Sequence, residues 1–249
     1  MKLLFWKRPP HVFRPEIELD NVFLQRIALD LSSPYVEWTA RWTHALGICY
    51  FYGCEIEPLR IEHPAKKRHI ARLEKKRKMQ LPTPLRAFFL NVGKSVSFSW
   101  QNPNWTLDFN DGEHIENPGG RLQIQLRNII PVTQLEGWNP ETWSKEEVSA
   151  LGENADEIRA LLENAIAFMP VGNGDHLVID TRDDAVRYLS HDDPEAMGMI
   201  LGRSFDDFMD AWSRLGCIGP EIWQLQFFLG PFGLDPESVN SQAFQVWLS

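Results

Sequence analysis

The 249-residue chain holds only three cysteines, Cys49, Cys54 and Cys217, and none sits in a CxxC pair or at a disulfide-like spacing. A disulfide framework is excluded on that count, and reduced thiols in an intracellular protein are expected. No apolar run approaches the roughly 18 residues of a membrane span. The opening MKLLFWKRPP has only four apolar residues before Lys7, too few for a signal-peptide core. A cytosolic protein without a membrane partner is the expectation. Also missing are a Gly-x-Ser-x-Gly elbow, a His-x-x-x-His pair and a glycine-rich phosphate loop. The usual serine-hydrolase, zinc-protease and nucleotide-binding motifs therefore have no representative.

What is present is charge, unevenly spread. The net charge is −9. Residues 64–78 hold eight Lys or Arg and one Glu, whereas residues 135–249 hold 21 Asp or Glu against six Lys or Arg, a balance of −15. An acidic half is a poor surface for a phosphate backbone. It suits a cationic protein partner, whose encounter it would steer, and it also serves solubility alone. The basic stretch reads as a helix with Ile70 and Leu73 as a narrow seam and its charges in water. No aromatic residue interleaves there to stack a base, so nucleic acid is not expected as a partner.

Periodicity supplies the elements. Phe23, Leu24, Ile27 and Leu31 stand at helical spacing. Ser33-Pro34 opens a second helix whose face is Tyr35, Trp38, Trp42, Ala45 and Leu46, with Gly47 as its end. The aromatic and β-branched run 48–56 predicts a strand. Thr83 and Pro84 begin a helix with Leu85, Phe88, Phe89 and Val92 in one stripe and Gly93 as a left-handed cap. Val96, Phe98 and Trp100 alternate with serine, and Trp105, Leu107 and Phe109 alternate likewise before the turn Asn110-Asp111-Gly112. Leu122, Ile124 and Leu126 form a third such strand after a Gly119-Gly120 turn, and short turns between strands indicate an antiparallel sheet. Ser144 with Glu147 is a capping-box pattern. Residues 153–168 predict a helix with Ile158, Leu161, Leu162, Ala165 and Ile166 on one face. Residues 222–229 fit a helix or a buried strand, and Phe244, Val246, Trp247 and Leu248 predict a tail docked on the core.

Residues 169–216 are the densest block. Gly172-Asn173-Gly174-Asp175 is turn chemistry, residues 176–180 and 185–189 predict paired strands, and Ser204 with Asp207 caps a helix that Gly216 closes. Phe205, Phe208, Met209 and Trp212 form the inward face of that helix. The same block places Asp175, His176, Asp180, His191, Asp192 and Asp193 within nineteen residues. Carboxylates and imidazoles of this kind bind Zn, Mn or Fe, and a metal-dependent hydrolase on Asp175, His176, His191 and Asp192 is one reading. A dinuclear site needs more ligands converging from separate strand ends, and the N-terminal half has no Asp-x-His or His-x-His to supply them. The competing reading is that these residues shape turns. Cys217 alone reads as a small buried residue rather than a nucleophile. No catalytic, metal or cofactor residue is assigned.

Leu81-Pro82, residues 85–90, Gly93, Gly174-Asp175, residues 177–180, residues 186–189, His191-Asp192, Ser204-Phe205, Phe208 and Trp212 follow one another in an order that resembles the SUKH superfamily, over residues 65–216. That group includes fungal cell-wall-synthesis regulators and bacterial immunity proteins. The resemblance implies an α+β fold, a mostly antiparallel β-sheet packed against several α-helices, without catalytic residues or cofactors. Its members' binding surfaces differ, so no functional residue carries over. Residues 1–62 are expected as an N-terminal extension of helices plus a strand, and residues 63–249 as the SUKH-like domain with a C-terminal docking tail. Asn91-Val92-Gly93-Lys94 departs from the more Asn/Gly-rich turn of many members. The function implied is an immunity protein that neutralises a cognate bacterial toxin, a cationic protein domain, by direct binding. A regulatory or scaffold module in another cytosolic pathway stays open beside it. From charge and loop position, Asp183, Asp184, Asp192 and Asp193 are the expected partner contacts.

Overall fold

The computed structural model describes residues 34–109, 112–140 and 155–249. The helix expected around residues 23–31, the Ser33 cap, Asn110-Asp111 and the Ser144/Glu147 capping box lie outside them. Helix α1 (Pro34–Phe51) buries Trp38, Trp42, Ala45, Leu46 and Cys49, steps of three and four that carry one face past the expected stop. Gly47 does not end it. A Cβ at Gly47 would meet nothing within 4 Å, so it is an unpacked helical glycine, weaker than alanine there by about 1 kcal/mol. The stop comes at Gly53, whose φ is +77°, with the Tyr52 and Cys54 amides donating to the Ile48 and Cys49 carbonyls. The strand expected over 48–56 is accordingly displaced to β1 (Glu55–Ile61). All three cysteines are buried and free.

Helix α2 (Lys67–Arg77) turns Ile70 and Leu73 inward as expected, and Glu74 with them. The Glu74 carboxylate accepts from the Leu81 amide at 2.9 Å and pairs with Arg86. It thus fastens α2 to α3 (Thr83–Asn91), which buries Leu85, Phe88 and Phe89. Gly93 is not the left-handed cap expected. Its role is close approach: a Cβ there would lie 2.5 Å from the Glu62 carbonyl oxygen and 2.8 Å from Ile61 Cγ2.

Strand β2 (Ser95–Gln101) pairs antiparallel with β1 on one side and β5 (Gly119–Gln125) on the other. Val96, Phe98 and Trp100 face the core. The opposite face is polar. Ser95, Ser97 and Ser99 stand against Gln125, Gln123 and Arg121 of β5, and Glu57 and Glu55 stand against Ser99 and Gln101 from β1. Gly119-Gly120, expected as a turn, begins β5 instead. Gly120 lies opposite Trp100, where a Cβ would collide with the indole. That indole donates to the Gly216 carbonyl at 2.8 Å. Strands β3 (Thr106–Asp108) and β4 (His114–Glu116) form a small separate hairpin.

The second sheet is antiparallel throughout, in the order β10-β9-β8-β7-β6. Its strands are β6 (Ile130–Pro131), β7 (Ala165–Pro170), β8 (His176–Asp180), β9 (Val186–Leu189) and β10 (Ile200–Gly202). The helix expected to reach residue 168 ends earlier, as α4 (Ala155–Asn164), and residues 165–168 belong to β7. The Asn164 carbonyl accepts from both the amide and the hydroxyl of Thr181, which ties the helix end to the β8–β9 turn. Strand β7 is buried on both faces. Ile166 and Phe168 join Leu177 and Ile179 in the main core, while Ala165 and Ala167 join Val178 and Leu189 beneath Ile158, Leu161 and Leu162 of α4. A run without polar positions has no period to separate helix from strand.

Helix α5 (Phe205–Arg214) buries Phe205, Phe208, Met209 and Trp212, and Ser204 Oγ accepts from the Asp207 amide at 3.1 Å. Ser204→Ala is expected to cost about 1 kcal/mol through loss of that cap, read as a lower urea midpoint at unchanged slope. Of residues 222–229, all but the last form helical turns, α6 (Ile222–Leu225) and a 3-10 turn (Gln226–Phe228), and Leu229 begins the hairpin β11 (Leu229–Gly230) and β12 (Gly233–Leu234). Helix α7 (Val239–Trp247) docks through Phe244, with Leu248 beyond it, but Val246 is 74% exposed. The tail is amphipathic, and Val246 is on its outer side. Trp38 and Trp42 of α1 lie in the same core as Phe88, Phe205 and Trp212. Residues 34–62 therefore share one core with the later helices and strands. The fold is α+β.

Candidate binding surface

The turn joining β7 to β8 ends in Asp175, which is fully buried. The Asn173 side chain accepts from the Asp175 amide and closes this turn, as the Gly-Asn-Gly-Asp chemistry predicts. Asp175 Oδ1 accepts from the His191 amide at 2.9 Å and lies 2.7 Å from His191 Nδ1. Oδ2 accepts from Asn173 Nδ2 and from the Tyr188 hydroxyl, each at 2.6 Å. The Tyr188 oxygen in turn accepts from the Ile222 amide at 3.3 Å. One carboxylate thus joins a hairpin turn, the end of β9 and the start of α6. Burial opposes ionisation of Asp175, but the hydrogen bonds from Tyr188, His191 and Asn173 outweigh it and hold the carboxyl below its usual range. The bond to Asp175 raises the His191 imidazole. Burial, then the bond to Asp175, pushes the Tyr188 phenol up.

Of the four residues that the alternative hydrolase reading would use, the structure brings three together. Ligand atoms of Asp175, His191 and Asp192 lie within 4.8 Å of one another. His176 is elsewhere, its ring edge-on to Trp138 at 6.1 Å, with burial lowering its pKa. The donor set does not fit a metal. Four protein donors already occupy the four lone-pair sites of Asp175, and His191 Nδ1 is engaged by the same carboxylate. Asp180 is likewise taken, by the Arg182 amide and guanidinium at 2.6–3.1 Å and by Arg187 at 3.4 Å. Burial opposes its ionisation and the Arg182 bonds prevail. Among the described residues no serine, threonine or cysteine hydrogen-bonds His191. Cys217 is wholly buried, which pushes its thiol up.

The expected acidic contacts fall at two ends of β9. Asp183 and Asp184 lie in the turn before it, and Asp192 and Asp193 in the loop after it. Asp183 is already engaged, by Arg187 at 2.6 Å and by the Ala185 amide at 3.0 Å. Asp193 accepts from the Glu195 and Ala196 amides, and Asp192 accepts from the Ser190 hydroxyl.

A larger feature was not foreseen. A groove of about 560 Å³ opens at one end of the polar face of the β1-β2-β5 sheet. Glu55 and Glu57 of β1 line one wall, Arg121 of β5 lies within, and Glu221 and Trp223 come from the start of α6. Trp223 is 47% exposed. Gln224 holds α6 in place, accepting from the Gly119 amide at 3.0 Å and donating to Glu221 at 3.3 Å. None of the three glutamates makes an ion pair with a described residue. The alternation Glu-Ile-Glu at 55–57 carries a sequence signal, hidden because the strand was expected to end at residue 56. Glu221 and Trp223 carry none, since only the packing of α6 on β5 brings them to β1.

Among the described residues no helix is long and apolar enough to cross a membrane. A search of curated proteins finds no match. The model of the SMI1 / KNR4 family (SUKH-1) matches residues 64–211, from just ahead of α2 into α5 and more than half of the chain. That span holds most of both sheets and the Asp175 clasp, and by it the chain belongs to the SMI1/KNR4 (SUKH-1) family.

Proposed function

We propose that the protein is a non-catalytic, cytosolic binding domain that neutralises a cognate bacterial toxin by occupying its cationic surface. The acidic groove around Trp223 carries this reading. An exposed tryptophan beside three carboxylates without ion-pair partners among the described residues suits an inserted Lys or Arg, which gains both a charge partner and a ring face. Tryptophan is also the residue type most often found as a binding anchor. Family membership supports a protein-binding role. The saturated Asp175 carboxylate argues against metal-dependent hydrolysis at the cluster of Asp175, His191 and Asp192.

Asp192 and Asp193 follow His191, which Asp175 and Tyr188 connect by hydrogen bonds to the start of α6. Asp183 and Asp184 form a separate acidic end. The direct experiment is co-expression with the toxin encoded beside the gene, followed by recovery of a stoichiometric complex. Glu55→Lys combined with Glu221→Lys is expected to weaken that complex about tenfold at low ionic strength, and less at high salt. Equal affinity of the double variant at low salt would reject the groove. Failure to protect against any neighbouring toxin would reject neutralisation. Reversal of Asp192/Asp193 is expected to weaken binding more than reversal of Asp183/Asp184, because Arg187 already engages Asp183.

A further inference from the structure

Three of the six Lys and Arg residues of α2 line one groove. Arg72, Lys76 and Arg77 line a groove of about 390 Å³ together with Lys94, just ahead of β2, and Arg127, just past β5. Lys94 pairs with Glu62 at 3.3 Å. Arg72, Lys76, Arg77 and Arg127 form no ion pair with any described residue. The Nε of Arg77 is buried without a hydrogen-bond partner among the described residues. Leu73 and Leu126 contribute an apolar floor, and both are buried. Ser95 and Gln125, register partners across β2 and β5, supply a polar wall. His69 reports the local field: desolvation and then the charges of Arg68, Lys94, Lys66 and Arg72 lower its pKa.

Like charges held in one groove repel, which opposes folding unless an anion is present to relieve it. The lining decides which anion. Among the described residues no Trp, Tyr or Phe lines the groove, so they offer no stacking platform of the kind that single-stranded nucleic acid uses. Its floor is apolar, and its rim holds five Lys or Arg against one acid, Glu62, which is paired with Lys94. That arrangement complements a segment in which carboxylates alternate with aliphatic side chains, because the acids meet the rim while the aliphatic groups cover Leu73 and Leu126. We propose that this groove is a docking site for an acidic, amphipathic peptide segment of a protein partner.

The basic groove does not depend on the acidic one. The two lie at opposite ends of β2, their nearest lining residues Ser95 and Ser99 about 13 Å apart at the rise of a strand, and they share no described lining residue. Binding to the full chain would be followed by fluorescence anisotropy at low ionic strength, using a short labelled peptide of alternating Glu and Leu. A labelled oligouridylate of equal length provides the comparison. Saturable binding of the peptide is expected, weakened roughly tenfold or more in the Lys76→Glu/Arg127→Glu variant. Lys75→Glu, on the same helix but outside the groove, is expected to change affinity by less than about twofold. Circular dichroism checks that the variants fold, and Lys76→Gln/Arg127→Gln replaces the double reversal if it does not. The proposal is overturned if the peptide does not bind, if Lys75→Glu weakens it as much as the groove variant, or if the oligouridylate binds more tightly. None of these readouts involves a toxin, so failure of the neutralisation reading leaves them intact.

Discussion

Phe205→Ala is expected to lower the free energy of unfolding by about 4 kcal/mol, the middle of the range for aromatic truncation in a core. Phe205 is 1% exposed and sits where three elements converge. Its ring meets Phe168 of β7 at 5.5 Å, Phe88 of α3 at 5.6 Å and Trp38 of α1 at 6.4 Å, each edge to face. Such pairs contribute beyond the area they bury, because a ring edge is drawn to a ring face. Removing the central ring leaves a cavity walled by rigid aromatic groups on separate elements, which cannot close over it without moving a helix or a strand. Urea unfolding followed by tryptophan fluorescence would report the loss as a lower midpoint. A drop of less than about 2 kcal/mol would mean that the three walls collapse together.

Asp175→Ala is expected to cost about 3 kcal/mol. The loss comes from stranded donors more than from the missing bonds, since the Tyr188 hydroxyl is buried and a buried donor without a partner loses its full hydration. Asp175→Asn keeps the shape but turns an amide NH₂ toward donors, so it relieves only part of the loss. The pair also sets a pH dependence. Asp175 is depressed in the fold, so its contribution is present above about pH 4 and is lost as pH falls through its lowered value. His191 is raised, so its contribution is full below about pH 6.5 and is lost as pH rises through its raised value. Stability from the clasp is therefore greatest between roughly pH 4 and 6.5, and the Asn variant should show a flatter profile on either side of that window. A variant profile parallel to that of the parent chain would place the titration elsewhere.

The parts of the fold that were legible are those where burial alternates with exposure. Val96, Phe98 and Trp100 could be assigned to a strand because serines separate them. Helix α5 could be placed because Ser204 and Asp207 mark its start and Phe205, Phe208, Met209 and Trp212 share a face. Legibility fails where both faces are buried, as in the all-apolar start of β7. It fails again where a glycine serves packing instead of a turn, as Gly93 does beside Ile61 and Gly120 beside Trp100. Gly47 misleads in the opposite sense, since tertiary packing of Trp38, Trp42 and Cys49 carries the helix through it.

The candidate sites divide the same way. Asp175, His191 and Asp192 stand close in sequence and meet in space, so their clustering was visible, but the four donors around Asp175 were not. The acidic groove is built from β1, β5 and α6, and nothing in the local sequence of Glu221 or Trp223 refers to Glu55. The basic groove was half visible. Helix α2 announces its charge, yet Lys94 and Arg127 enter only through the antiparallel register of β2 and β5.

Strand β1 lies ahead of the span matched by the family, and β2 borders it directly. A chain cut back to residue 64 would leave the backbone amides and carbonyls of β2 open along one edge, on a strand rich in Val, Phe and Trp. Such an edge is a template for pairing with another molecule. Strand β1 therefore covers the edge of β2 that such a cut would open to self-association, on the strand along which both grooves are laid out.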